Sequence, residues 1–425
     1  MEIFIDEHDG GGIPEAEQRA AVQRSLSGRT PGRVLLIPPD FTRFYSGAGK
    51  LTNFYYHELC GGCPVDVLPA LGTHRPMTED ECREMYGDIP FERFLVHDWR
   101  HDVVKIGEVP GEFLSQVSEG LWNEPVSVEI NRLVMDERYD LIVSIGQVVP
   151  HEVVGMANHS KNLFVGVGGS EMINKSHMLG AVYGMERMMG RDHSPVREMF
   201  DYALEHFLRG RPIIFALTTA TAPENKTILH GLYIGDTRAV LDRAVASAQE
   251  HNVNWLPGPI KKCVVYLDPH EFRSTWLGNK AVYRTRMAIA DGGELLVLAP
   301  GVERFGEDGE NDALIRKYGY RGRLKVLELF KRPECADLRE NMGVAAHLIH
   351  GSSDGRFSVT YATEKLSREE VEGVGFGWTD CGAALARYSP EKLVYGDNTL
   401  PDGEKVFYIP NPSLGLWIDR ERFNR

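Results

Sequence analysis

At 425 residues the chain exceeds what one ordinary hydrophobic core organises, so two domains are expected. Apolar residues make up 42% and charged residues 25%, the balance of a globular, enzyme-sized protein. A formal charge of −14 argues against a nucleic-acid binder, which would present a basic face. No apolar run approaches the roughly 20 residues of a membrane span. The opening MEIFIDEHDGGG is acidic where a secretory signal would be basic and then apolar, so a cytoplasmic protein is expected. Among six cysteines only Cys60-Gly-Gly-Cys63 has a close spacing, and no second pair joins it to complete a zinc site; reduced packing thiols are the expectation.

Apolar runs alternate with amphipathic stretches, the pattern of an α/β fold with mainly parallel sheets. Arg33–Pro38 (RVLLIP) reads as a buried strand ending at Asp40-Phe41-Thr42-Arg43. Val65–Ala70 is a second, ending at Gly72-Thr73-His74-Arg75, and Thr78 with Glu81 three residues on reads as a capping box opening a helix. Arg93–Val96 is a third strand, ending at His97, and Tyr139–Ile145 a fourth, leading to His151. Helices are expected near Pro195–Leu208 and Thr237–Glu250, with a strand at Pro212–Leu217 between them. The turn-rich Asn252–Pro259 divides the chain. Beyond it come strands at Lys262–Leu267, Glu294–Ala299 and Phe357–Tyr361, and a helix over Trp276–Ala290. The domains are expected at 1–253 and 254–399, with the hydrophobic tail from about 400 to 425 returning to the first.

Four predicted strands thus empty into loops rich in charge and imidazole. In open parallel sheets the carboxyl edge of the strands is where ligands bind. The richest loop spans Gln147–Gly180 and carries His151, His159, Lys161 and His177 around Gly166-Val167-Gly168-Gly169. Imidazoles ligate metals or move protons near neutral pH, and a lysine among them is a candidate nucleophile or attachment point. No H-E-x-x-H or Walker loop is present, and the glycine run does not match G-x-G-x-x-G.

The string from His151 to His177, with GTHRPMT, the histidine of VHDWR and the helix before Asp291-Gly292-Gly293, resembles the nickel-pincer-nucleotide lactate racemases and their 2-hydroxyacid racemase and epimerase relatives. The most specific feature is a histidine followed by a lysine ten residues on and a histidine 26 residues on. The resemblance implies that Lys161 carries the cofactor covalently, a pyridinium-3-thioamide-5-thiocarboxylic acid mononucleotide, and that His177 ligates its Ni(II). It implies His97 and His151 as an acid/base pair serving the two faces of a 2-hydroxy acid, with hydride passing to the cofactor and back through a planar 2-oxo acid. Arg75 and Lys280 are then candidates for the substrate carboxylate, and Asp40, Thr42, Arg43, Gly72 and Thr73 for the nucleotide.

Two departures bear on substrate. The resembled run G-[YF]-S-G-G-x-K is here Gly155-Met156-Ala157-Asn158-His159-Ser160-Lys161, and Leu277 replaces a substrate-holding glutamine three residues before Lys280. With Arg273 and Arg284 close in sequence, malate or a sugar acid stands beside a lactate-like substrate. The expectation is a two-domain α/β racemase or epimerase with its active site in the interdomain cleft. It would depend on cofactor-biosynthesis proteins and bind neither nucleic acid nor membrane, and a homo-oligomer is left open. A histidine-based metal hydrolase using zinc, or a non-catalytic nickel- or nucleotide-binding protein, are the alternatives.

Overall fold

The computed structural model describes residues 2–424. The chain divides into two compact units, Met1–Leu179 with Arg187–Asn252, and Gly180–Glu186 with Val253–Arg425.

In the first unit, β1 (Ile3–Asp6), β2 (Val34–Ile37) and β3 (Val65–Val67) are followed by a hairpin of β4 (Val103–Val109) and β5 (Val126–Asn131). Next come β6 (Leu141–Gln147), a two-residue ladder of β7 (Pro150–His151) with β8 (Gly155–Met156), then β9 (Ile213–Thr221) and β10 (Ile228–Gly235). The main sheet runs β1-β10-β9-β6-β2-β3. Its four strands from β9 to β3 are parallel, and β10 and β1 add antiparallel edges.

Alternation sends successive side chains to opposite faces. Leu35 and Ile37 of β2 enter one core with Ile142, Phe215 and Phe200, while Val34 and Leu36 enter the other with Leu141, Val143 and Phe54. A sheet buried on both faces explains why these strands read as continuous apolar runs. Because β2 passes outward to β3 and the chain then returns to β6 on the other side, strand order reverses between β2 and β6. That is the switch point at which open α/β sheets hold ligands.

The second unit contains β11 (Asn254–Leu256), β12 (Ile260–Tyr266), β13 (Ile289–Leu298), β14 (Ser358–Ala362), β15 (Gly377–Thr379), β16 (Gly396–Thr399), β17 (Lys405–Ile409) and β18 (Trp417–Asp419). Its sheet runs β15-β14-β13-β12-β17-β16, parallel except for β16.

Several expectations are corrected. The tail does not join the first unit: β17 pairs with β12 and β18 with β11, because Val406, Tyr408 and Ile409 complete an apolar layer that β12 needs on that side. Arg93–Val96 is not a strand; one turn at Phe91–Arg93 precedes a single bridge from Phe94 to Val67. The single helix expected over Trp276–Ala290 is two short ones, Thr275–Gly278 and Lys280–Thr285, after which β13 begins at Ile289. The β4–β5 hairpin was not foreseen, since Val103–Val109 has several exposed positions and weak alternation. The Thr78–Glu81 capping box forms in full, opening Glu79–Tyr86. No helix among the described residues is long and apolar enough to cross a membrane.

The tail's placement is open to measurement. Tyr408 on β17 is buried among Val264, Leu296 and Leu298. Tyr408→Ala is expected to cost about 3–5 kcal/mol in urea unfolding, as for a buried aromatic truncated in a packed core.

Candidate active site

Loops at the carboxyl ends of β2, β3 and β6 build the site. Lys161 ends the loop after β6 and leads into one turn of π-helix, Asn162–Gly166, a form that often marks functional positions. The buried Asn162 amide donates to the Ile37 carbonyl at 3.1 Å and to Ser144 Oγ at 3.0 Å, fastening this turn across the ends of β2 and β6. Lys161 therefore stands at the switch point.

The loop before it is unusual. Asn158 and His159 have φ of 64° and 57°, the left-handed region that costs roughly 1–2 kcal/mol for a residue with a side chain. These are the two positions where the resembled run carries glycines. Asn158 packs so closely on Gly146 that a Cβ there would lie 1.9 Å from its Nδ2. The fully buried Arg197 holds the turn, donating to the Met156 carbonyl at 2.7 Å, the Asn158 carbonyl at 3.1 Å and Ser160 Oγ at 2.8 Å. Ser160 in turn donates to Asp201 at 2.5 Å, and Asp201 pairs with Arg238. Burial lowers the Arg197 guanidinium to about 10, which keeps it charged at neutral pH. His159 stacks on Phe215 with centroids 3.9 Å apart, and neither ring nitrogen has a hydrogen-bond partner among the described residues. Burial, then the charges of Arg197 and Arg238, push that ring well below the usual imidazole range.

Lys161 itself is half-buried and makes no hydrogen bond or ion pair with the described residues. Burial first, and the Arg43 charge second, lower its amine from 10.5 to about 8. The fields of Glu152, Arg197 and Asp40 reach the same amine. His151 feels Glu152, Lys161, Arg43 and His177, with burial pushing it well below its ordinary value. His177, likewise lowered by burial, feels Lys161 and Glu152. Arg43, His151, Lys161 and His177 thus share one electrostatic neighbourhood.

The histidines differ in what they leave open. His177 Nδ1 donates to the Ile173 carbonyl at 2.6 Å within its own helix, Ser170–Tyr183, so Nε2 keeps its lone pair. A carbonyl fixing one nitrogen so that the other can ligate is the usual support of a metal-binding histidine. His151 Nδ1 accepts from the Val153 N–H at 3.1 Å, which puts the proton of a neutral ring on Nε2. His97 is engaged at both nitrogens. Asn131 Oδ1 accepts from the Leu133 N–H, so its amide Nδ2 donates to His97 Nδ1 at 2.9 Å, and His97 Nε2 donates to the Gly168 carbonyl at 3.1 Å. Burial lowers this ring too, but the charges acting on it are Asp102 and Asp98, not Lys161.

The remaining predicted residues divide. Asp40 is buried and accepts from Thr42 at 2.5 Å and pairs with His74 Nδ1 at 2.6 Å. Its burial would raise the carboxyl, but the bonds from His74 and Thr42 hold it below its usual value. Arg75 is two-thirds exposed and bonded through both terminal nitrogens to Glu81, so its guanidinium is already engaged. The Gly72 N–H donates to the Gly166 carbonyl at 2.8 Å, while Thr73 is exposed on the same loop. Lys280 belongs to the second unit, at the start of Lys280–Thr285, where it donates to Ser413 Oγ at 3.2 Å. Sequence reasoning missed Arg197, Asn162 and Asn131. Arg197 had one signal: a cation in the first turn of a helix opposes the macrodipole and asks for a partner.

The lowered Lys161 amine yields a direct test. Competitive acylation followed by peptide mass spectrometry should give Lys161 a reactivity midpoint near pH 8, against about 10.5 for a surface lysine. Because folding depresses this pKa, stability should rise as pH goes from about 8 toward 10.5, and Lys161→Met should abolish that part of the slope.

Comparison with known proteins agrees with this architecture. Residues 22–189 match the family model described as the lactate racemase N-terminal domain. A lactate racemase of Thermoanaerobacterium thermosaccharolyticum is 30% identical over 117 residues, a stretch covering 27% of this chain and about a quarter (24%) of that protein. A crystal structure of a Thermotoga maritima protein superposes with a TM-score of 0.76 at 22% identity, over 97% of this chain and 99% of that one. The lactate racemase apoprotein of T. thermosaccharolyticum gives 0.68 at 17% identity, over 94% and 92%. The fold is therefore that of the lactate racemase structure, and residues 22–189 are similar to the lactate racemase N-terminal domain.

Proposed function

We propose that the protein is a nickel-dependent racemase or epimerase of a 2-hydroxy acid, with Lys161 as the attachment point of a nickel-pincer nucleotide. The observation that carries this reading is a lysine with no hydrogen-bond or ion-pair partner among the described residues, lowered to about 8, in one electrostatic neighbourhood with a histidine whose Nε2 lone pair is open. An amine with a pKa near 8 is a usable nucleophile at neutral pH, which a solvated lysine is not. Imidazole nitrogen suits Ni(II), and His177 would hold the metal. When bound, such a cofactor reversibly accepts a hydride, chemistry that no side chain of this chain supplies.

The chain's own residues do the rest. In the tautomer that the Val153 N–H sets, His151 Nε2–H donates to the substrate's 2-oxygen; to take the hydroxyl proton there, the ring carries its own proton on Nδ1 and gives up the bond from Val153. His97, the second member of the pair, serves by trading its bond to the Gly168 carbonyl for one to substrate. Arg43 supplies positive charge beside Lys161, suited to a nucleotide phosphate or a substrate carboxylate. Arg75 is the weaker candidate for that work because Glu81 holds it. Asp40, braced by Thr42 and His74, is placed to orient the nucleotide's hydroxyls.

Protein made in cells that carry the cofactor-biosynthesis proteins should racemise a 2-hydroxy acid, followed by chiral chromatography on lactate, malate and gluconate. Lys161→Ala should abolish turnover, and His151→Gln should lower kcat by about 10²–10⁴-fold, the usual contribution of a general acid–base. Malate or gluconate is expected to exceed lactate; absence of turnover on every 2-hydroxy acid would refute the assignment.

A further inference from the structure

Away from the Lys161 loop, Glu7, His230 and His251 bring three ligand atoms within 4.8 Å of one another. We propose that these residues form a second metal site, a structural one for a divalent transition ion of the zinc class. Three separate pieces of the first unit converge there: Glu7 directly follows β1, His230 lies on β10, and His251 ends the helix Arg238–His251. The Glu7 N–H bonds the His230 carbonyl at 2.8 Å, so backbone pairing, not side-chain chance, sets the first two side by side.

The outer bonds of this trio are those of a prepared metal site. Glu7 Oε1 lies 2.5 Å from His230 Nδ1, while its other oxygen accepts from the Gly12 N–H at 2.8 Å. His230 Nε2 is held by Thr221 Oγ1 at 2.6 Å. Each of these two ligands therefore has one atom turned inward and its second atom fixed by a partner, the arrangement that orients ligands and fixes the tautomer around bound metals. The His251 ring lies parallel to that of His230, 3.9 Å away, and is half-buried. A swing of His251 out of the stack directs its nitrogen to the point shared by Glu7 and His230. The ion takes the place of the proton held between His230 Nδ1 and Glu7 Oε1, which leaves to solvent. Two imidazoles and one carboxylate with a fourth position for water suit Zn(II) and its neighbours, not Mg(II) or Ca(II). Such an ion would staple the edge strand β1 to β10 and to the end of the following helix.

The trio shares no residue with the proposed catalytic site, and the test separates the two by working in the His177→Ala chain. After treatment with a chelator, equilibrium dialysis against zinc chloride should load one zinc per chain and raise the thermal midpoint. His251→Gln and Glu7→Gln should each lose that zinc and that rise, while keeping the circular dichroism of the parent. Cobalt(II) should give ligand-field absorption in the parent alone. Zinc uptake unchanged in both variants, or no uptake by the parent, would overturn the proposal.

Discussion

A charged guanidinium with no access to solvent must find its hydrogen bonds inside the protein, and Arg197 finds three of them on the turn that presents Lys161. Removing a charge from water is costly unless it is paired and bonded. The pairing here runs through Ser160 to Asp201 and on to Arg238. That network over-determines a backbone in which Asn158 and His159 occupy the left-handed region, which two side-chain-bearing residues would otherwise leave. The strain is stored beside Lys161, in the turn that presents it.

From this constraint the electrostatics follow. Lys161, His151 and His177 lie where burial disfavours charge, and the fixed positive charges of Arg43 and Arg197 add to the effect on the lysine. Groups that would be cationic or half-cationic in water are therefore held toward their neutral, nucleophilic or ligating forms. The Asn162 amide places the ensemble over the gap between β2 and β6, so the site inherits its location from the topology of the sheet.

The parallel strands and the loops at their carboxyl ends were legible because burial on both faces writes long apolar runs into the sequence. The grouping of His151, Lys161 and His177 was legible because they lie on one connection. What could not be read has a common cause, namely contacts set by tertiary structure. Glu81 takes up Arg75, and the Asn131 amide and Gly168 carbonyl occupy both nitrogens of His97. The tail's apolar run announced burial but not its partner; pairing with β12 was decided by an edge the sequence does not mark. Arg197 resembled any exposed helical arginine until the loop it supports was folded around it. The bulk at Asn158 and His159 was visible, while the left-handed backbone it must adopt was not.

The central claim is that Lys161 tethers a nucleotide cofactor, and intact-mass analysis of the purified chain tests it without reference to any substrate. Protein produced together with the cofactor-biosynthesis proteins should carry a mass increment that maps to the peptide containing Lys161. That increment should vanish in a folded Lys161→Ala variant. An increment that persists in the variant, or a wild-type chain whose mass never exceeds that of the polypeptide, would contradict the account.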